Sequence, residues 1–146
     1  MSIPVDDKRK YLEKRLDFIN LSKEVNKILL EYDVKLNFQG FTDIFQEYIN
    51  CDTSEIFVLQ KLINELNYWI RYMGEVENII LFYMNHFLIV SEKEDNEQEV
   101  GKAAQSHFVL KNYLKKVQTY KRRFSNSRHD CIEKIKDSNK AFYREI

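Results

Sequence analysis

The chain of 146 residues contains only three glycines and one proline, the residues on which tight turns and sheet edges most depend. Their scarcity favours an all-α protein. An aromatic content of 14% indicates a packed interior rather than disorder. The length suits a single domain over residues 1–146.

Cysteines and long apolar runs are equally scarce. Cys51 and Cys131 have no paired spacing, so we predict neither a disulfide framework nor a zinc site, and expect two small buried residues in a reducing cytosol. The most apolar run, 79–90, is interrupted by Asn85 and His86 and is too short to span a bilayer. With no apolar leader segment at the N-terminus, we expect a cytoplasmic protein that does not associate with membranes.

One long apolar stripe is the strongest periodic pattern in the sequence. From Thr53 to Val90, apolar residues recur at alternating steps of three and four, which predicts a single helix of roughly 35 residues. The stripe comprises Leu59, Leu62, Leu66, Trp69, Met73, Val76, Ile80, Tyr83 and Phe87. Gly74 interrupts it without shifting its register, which predicts either close approach of a neighbouring helix or a kink.

A second stripe starts after an acidic loop at 91–99, part of which could instead form the first turn of the next helix. It comprises Val100, Ala103, His107, Leu110, Leu114, Val117 and Phe124. Two long helices joined by a short polar loop must run antiparallel, so we predict a central helical hairpin.

Three further helices complete the predicted bundle. The first runs from Asp6 or Asp7 to about Tyr32, a short one starts at Thr42, and the last follows a break at Ser125–Ser127, where Ser127 would cap it. The inward face of the first helix is predicted to comprise Leu12, Leu16, Ile19, Val25, Ile28 and Leu29. The fold class is therefore an all-α up-and-down bundle of four to five helices.

Charge is distributed unevenly although the formal net charge is zero. Between Lys111 and Arg128 there is no acidic residue, and basic side chains alternate with Tyr113, Tyr120 and Phe124. The basic residues are Lys111, Lys115, Lys116, Lys121, Arg122, Arg123 and Arg128. Cations suit phosphates and aromatic rings suit unstacked bases, so this segment predicts RNA binding through those side chains and Tyr120, with a solvated helix face as the alternative.

His129 follows this basic segment. Histidine exchanges a proton near neutral pH, and arginine is a fixed cation whose fork matches phosphate, so the two types together suit metal-independent RNA cleavage. On an unbroken helix His129 shares a face with Arg122, seven residues earlier. Arg123 would reach that face only if the helix broke at 125–127.

A helical bundle with an arginine and a histidine four to six residues apart near the start of a late helix resembles the HEPN family. The resemblance is carried by residues 115–130. It implies a metal-independent endoribonuclease, or an inactive relative, of toxin–antitoxin, abortive-infection or other phage-defence systems, acting as a homodimer. It places Arg123 or Arg122 with His129 in the catalytic motif and makes Asn126 the polar helper. Phe124 departs from the family pattern, which usually has a polar residue directly after the arginine.

Two further expectations concern what the chain binds. No HExxH sequence and no glycine-rich phosphate loop occurs, so we expect no metal and no cofactor. The alternative function is a non-catalytic helical binding protein, such as an immunity protein, an antitoxin or a phage or defence inhibitor, that masks a protein partner. We predict that His86 and His107 are satisfied structural histidines.

Overall fold

The computed structural model describes the backbone of residues 5–41 and 55–145, and the side chains of residues 16–41 and 55–139. Three α-helices are present in these ranges, which contain no strand: α1 (Val5–Leu29), α2 (Ile56–Lys93) and α3 (Glu97–Glu145), with a 3₁₀ turn at Leu30–Tyr32. The all-α class is confirmed. The short helix predicted from Thr42 lies outside the described residues. None of the described helices is long and apolar enough to cross a membrane.

The central hairpin is formed by α2 and α3, as predicted. Every residue of the predicted α2 stripe is buried except Tyr83, which is partly buried. Only residues 94–96 separate the helices, and the side chain of Asn96 accepts a hydrogen bond from the backbone N–H of Gln98 at 2.9 Å. Because α3 begins at Glu97, the last acids of the predicted loop form its first turn.

The predicted helix break at Ser125–Ser127 is wrong. α3 continues through these residues, and the Ser125 hydroxyl donates to the carbonyl oxygen of Lys121 at 2.9 Å. Ser127 donates in the same way to the carbonyl of Arg123. Each hydroxyl thus bonds within the preceding turn instead of competing with the helix. One helix therefore replaces the two that we predicted, and no cap forms at Ser127.

After the 3₁₀ turn, residues 33–41 return along α2 as an extended segment, here called the returning segment. The Tyr32 hydroxyl lies 3.0 Å from His86 Nε2 near the C-terminal end of α2. Five residues later, the backbone N–H of Asn37 donates to the Tyr72 hydroxyl at 2.7 Å. Residues 33–41 therefore run opposite to both α1 and α2. His86 is hydrogen-bonded, as predicted, whereas His107 makes no hydrogen bond to a described residue.

The core of the bundle lies where α1 and the returning segment meet the hairpin. The ring of Phe18 has its centroid within 5.3 Å of those of four other rings, Phe38, Phe41, Tyr113 and Tyr120. Cys131 is buried in the same core, as predicted, whereas Cys51 lies outside the described residues.

The predicted inward face of α1 needs a correction. Leu16 is 52% exposed, whereas Phe18 is fully buried. Among the side chains of α1 that the structure describes, 16–29, the buried ones are Phe18, Ser22, Val25 and Leu29, and the predicted Leu12 lies outside this range. Ser22 can occupy this stripe because its hydroxyl donates to the carbonyl of Phe18 at 2.8 Å and lies 2.9 Å from the Tyr113 hydroxyl. Because Ser22 is polar, the buried stripe of α1 cannot be recognised from apolar residues alone, although the hydrogen bonds of Ser22 make it suitable for burial.

α2 continues through Gly74 without interruption. A Cβ atom built there would lie 3.8 Å from Lys121 Nζ, an ordinary contact with the end of a flexible side chain. The backbones therefore do not need to approach closely at this position. We expect Gly74→Ala to raise the free energy of unfolding by about 1 kcal/mol, because alanine loses less entropy in a helix. Chemical denaturation would measure it.

Gly40 provides the matched control for that substitution. Its φ of +86° is a conformation that L-residues rarely adopt. Gly40→Ala should therefore lower the free energy of unfolding. Equal changes in the free energy of unfolding for Gly74→Ala and Gly40→Ala would contradict this interpretation of the two glycines.

Candidate nucleic-acid interface

The unbroken course of α3 decides which predicted site residues lie together. Seven residues turn a helix by 700°, so Arg122 and His129 lie within about 20° of each other around the axis. Arg123 lies about 120° away from His129 by the same geometry. Arg122 therefore shares a face of α3 with His129, and Arg123, whose alignment with His129 required the break, does not.

Five predicted site residues form what we call the outer face of α3: Lys111, Lys115, Arg122, Asn126 and His129. All five are exposed. Their positions fall within an arc of about 60°, and the row extends over roughly 27 Å at 1.5 Å per residue. The side chain of His129 makes no hydrogen bond to any described residue. The outer face therefore presents three cations, an amide and an imidazole to one side of the helix.

A concavity of about 240 Å³ adjoins this face and is here called the basic pocket. It is lined by Lys115, Lys116, Thr119, Tyr120 and Arg123, and none of these lining residues is acidic. The guanidinium carbon of Arg123 lies 5.8 Å from the centroid of the Tyr120 ring, a cation–π contact that orients the arginine. Three cations around one concavity suit a phosphate group. The sequence analysis missed Thr119, which carries no charge to mark it.

The aromatic residues of the basic segment are buried, although we predicted that they would stack on RNA bases. Tyr113, Tyr120 and Phe124 are 0%, 4% and 2% exposed. The Tyr120 ring lies between core rings, 4.8 Å from Phe18 and 5.5 Å from Phe41. An RNA base therefore cannot stack on these rings. Burial raises the pKa of Tyr113, as expected of a phenol within the core.

Two predicted RNA-binding cations instead join the helices of the hairpin. Lys121 Nζ lies 3.1 Å from the Glu77 carboxylate, in a salt bridge between α3 and α2. Arg128 donates a hydrogen bond to the Asn67 side chain at 2.9 Å. These contacts hold α3 in register with α2 and so position the outer face.

The contact at Glu77 makes stability depend on pH. Hydrogen bonds from Gln118 and then Lys121 hold the pKa of Glu77 below its usual value of 4.5. A lowered folded-state pKa stabilises the fold above the unfolded value and loses that contribution as pH falls through the folded value. We expect Glu77→Gln to show a smaller decrease in free energy of unfolding between pH 6 and pH 3 than the original protein. Urea denaturation across that range would measure it, and parallel curves would contradict it.

No group of three or more His, Cys, Asp or Glu side chains in the described part of the chain is placed to hold a metal ion. Comparisons of the chain with models of protein families, with curated proteins and with solved structures found no match. The interface is therefore interpreted from its own geometry and charge.

Proposed function

We propose that this protein binds RNA by seating a backbone phosphate in the basic pocket. The observation that carries the proposal is the convergence of Lys115, Lys116 and Arg123 on one concavity with no acidic residue among those lining it. Most of the affinity of proteins for nucleic acids comes from such neutralisation of phosphates. A four-helix, HEPN-like bundle belongs to the same proposal, with a helix near 42–49 as its fourth element.

The surroundings of the pocket support binding to a chain of phosphates rather than to a single anion. From Val100 to His129, α3 contains no acidic residue. Lys111 and Arg122 extend the positive surface along the outer face on either side of Lys115. A single strand lying along α3 would therefore meet cations over several nucleotides.

We further propose that the bound RNA is cleaved without a metal ion. In this reaction the 2′-hydroxyl loses its proton to a base, the 2′-oxygen attacks the phosphorus, and the bond to the 5′-oxygen breaks as that oxygen gains a proton. His129 can perform one of the two proton transfers, and Arg122 on the same face can stabilise the charge on the phosphorane. A homodimer that brings two His129 side chains together would supply both. Toxin–antitoxin, abortive-infection or other phage-defence systems are the settings this activity suits.

Cleavage of a labelled single-stranded RNA in EDTA tests the enzymatic step. We expect 2′,3′-cyclic phosphate ends from the original protein and a rate about 10²- to 10⁴-fold lower for His129→Ala. His107→Ala, on the same helix but partly buried, is the matched control and should keep the full rate. Cleavage by His129→Ala at the full rate, or no cleavage by either protein, would contradict the enzymatic step. RNA binding by His129→Ala tests the binding proposal separately.

One observation favours a second candidate, a non-catalytic binding protein. Leu81, Phe82, Leu88 and Ile89 share a side of α2 and are 41–67% exposed. Contiguous exposed apolar patches commonly mark protein–protein interfaces. An immunity protein, antitoxin or defence inhibitor would use such a surface to mask its partner. A stoichiometric protein partner that co-purifies without RNA, and is lost on Phe82→Glu, would favour this candidate.

A further inference from the structure

A second pocket lies at the loop end of the hairpin, where the end of α1 and the 3₁₀ turn meet the end of α2 and the start of α3. Its volume is about 280 Å³. We call it the loop-end pocket. Lys102, which lines it, precedes Lys115 of the basic pocket by 13 residues, or roughly 20 Å along α3. The two sites are therefore separate.

The wall of the loop-end pocket combines apolar side chains with one unsatisfied hydroxyl. The apolar part comprises Ile28, Phe87, Val90 and Ala103. Ser106 also lines the pocket, is only 9% exposed and has no hydrogen-bond partner among the described residues. Buried hydroxyls are normally hydrogen-bonded, so this one is available to a bound molecule. Ser22 and Ser127, the other buried serines among the described residues, each donate a hydrogen bond to a backbone carbonyl.

Four charged side chains line the same pocket, two of each sign. Lys27 and Glu31 belong to α1 and the 3₁₀ turn, and Glu99 and Lys102 belong to α3. Although opposite charges share one small site, none of the four forms an ion pair within 4.0 Å with any residue in the described ranges. A ligand with charge of one sign would be attracted by two of them and repelled by the other two. A zwitterion can satisfy both signs at once.

We infer that the loop-end pocket binds a small zwitterion with an apolar body, the chemistry of a free aliphatic α-amino acid. The ammonium group would lie toward Glu31 and Glu99 and the carboxylate toward Lys27 and Lys102, with the aliphatic part against the apolar wall. The volume of about 280 Å³ lies just below the roughly 300–1,000 Å³ of pockets for drug-sized ligands, so it suits a smaller molecule of this class. This inference is independent of RNA binding.

Titration calorimetry with L-leucine tests the assignment. We expect saturable binding of leucine, and at least tenfold weaker binding of three analogues. The analogues are 4-methylpentanoate, which lacks the ammonium group, 3-methylbutylamine, which lacks the carboxylate, and glycine, which lacks the apolar body. No binding of leucine would overturn the inference. Equal binding of either singly charged analogue, or of glycine, would overturn the ligand class.

Two substitutions locate the binding. Lys102→Gln removes an exposed cation and Ser106→Ala removes only a hydroxyl, so neither should disturb the fold. We expect each to weaken leucine binding at least fivefold. Lys61→Gln, at an exposed lysine of α2 that does not line the pocket, should leave it unchanged. Equal affinity for leucine in all three variants would overturn the assignment to this pocket.

Discussion

Replacing Phe18 by alanine is expected to lower the free energy of unfolding by about 3–5 kcal/mol, the range typical of buried phenylalanines. The Phe18 side chain is fully buried and stacks on Tyr113 at 5.3 Å, with an interplanar angle of 10°. It also contacts Phe41, on the returning segment. The substitution would leave a cavity where α1, the returning segment and α3 meet. Urea denaturation followed by circular dichroism would measure the change.

Phe82→Ala is the matched control, because Phe82 is 67% exposed on α2. Its removal should change the free energy of unfolding by no more than about 0.5 kcal/mol, as is usual at exposed positions. Similar losses from the two variants would show that α1 does not pack on the hairpin as described. A domain of this size has a total stability of about 5–15 kcal/mol, so the loss at Phe18 would be a large share of it.

The hairpin could be predicted from the sequence because its signal is repeated many times. The α2 stripe holds its period from Leu59 to Phe87, and a single misplaced residue cannot shift such a pattern. The prediction for α1 had fewer apolar positions to rely on. There Leu16 fits an apolar stripe by type, while the buried Ser22 does not, although its hydrogen bonds make it suitable for the core.

The break predicted in α3 failed for a related reason. Serine weakens a helix when its hydroxyl competes for backbone groups elsewhere, but Ser125 and Ser127 bond to carbonyls one turn earlier. Ser127 is 2% exposed, so its burial also favours the continuous helix. Local sequence cannot show which of these outcomes occurs, since tertiary packing decides it.

The candidate site could be predicted in composition but only partly in arrangement. The basic character of α3 is visible in the sequence, whereas the partners that engage Lys121 and Arg128 lie 44 and 61 residues away. The burial of Tyr120 likewise depends on rings contributed by α1 and the returning segment. A single helix pattern contains no information about such distant contacts. The candidate site therefore consists of the outer face and the basic pocket.

Neutralising the basic pocket is therefore expected to have the largest effect on RNA binding. The triple variant Lys115→Gln, Lys116→Gln and Arg123→Gln should weaken binding of a single-stranded RNA by about 100-fold near 0.1 M salt. Each cation that neutralises a phosphate of a single strand contributes roughly 0.7 to the slope of log affinity against log salt. The slope should consequently fall by about two. Fluorescence anisotropy over a range of salt concentrations would measure both quantities.

A second triple variant separates position from total charge. Lys61, Arg71 and Lys93 are exposed on α2, and their replacement by glutamine changes the net charge by the same amount. Because none of the three lines the basic pocket and exposed charges are screened at 0.1 M salt, this variant should bind RNA nearly as well as the original protein. Equal weakening by the two variants would show that RNA responds to overall charge. Only a loss of RNA affinity confined to the basic-pocket variant supports a phosphate held by Lys115, Lys116 and Arg123.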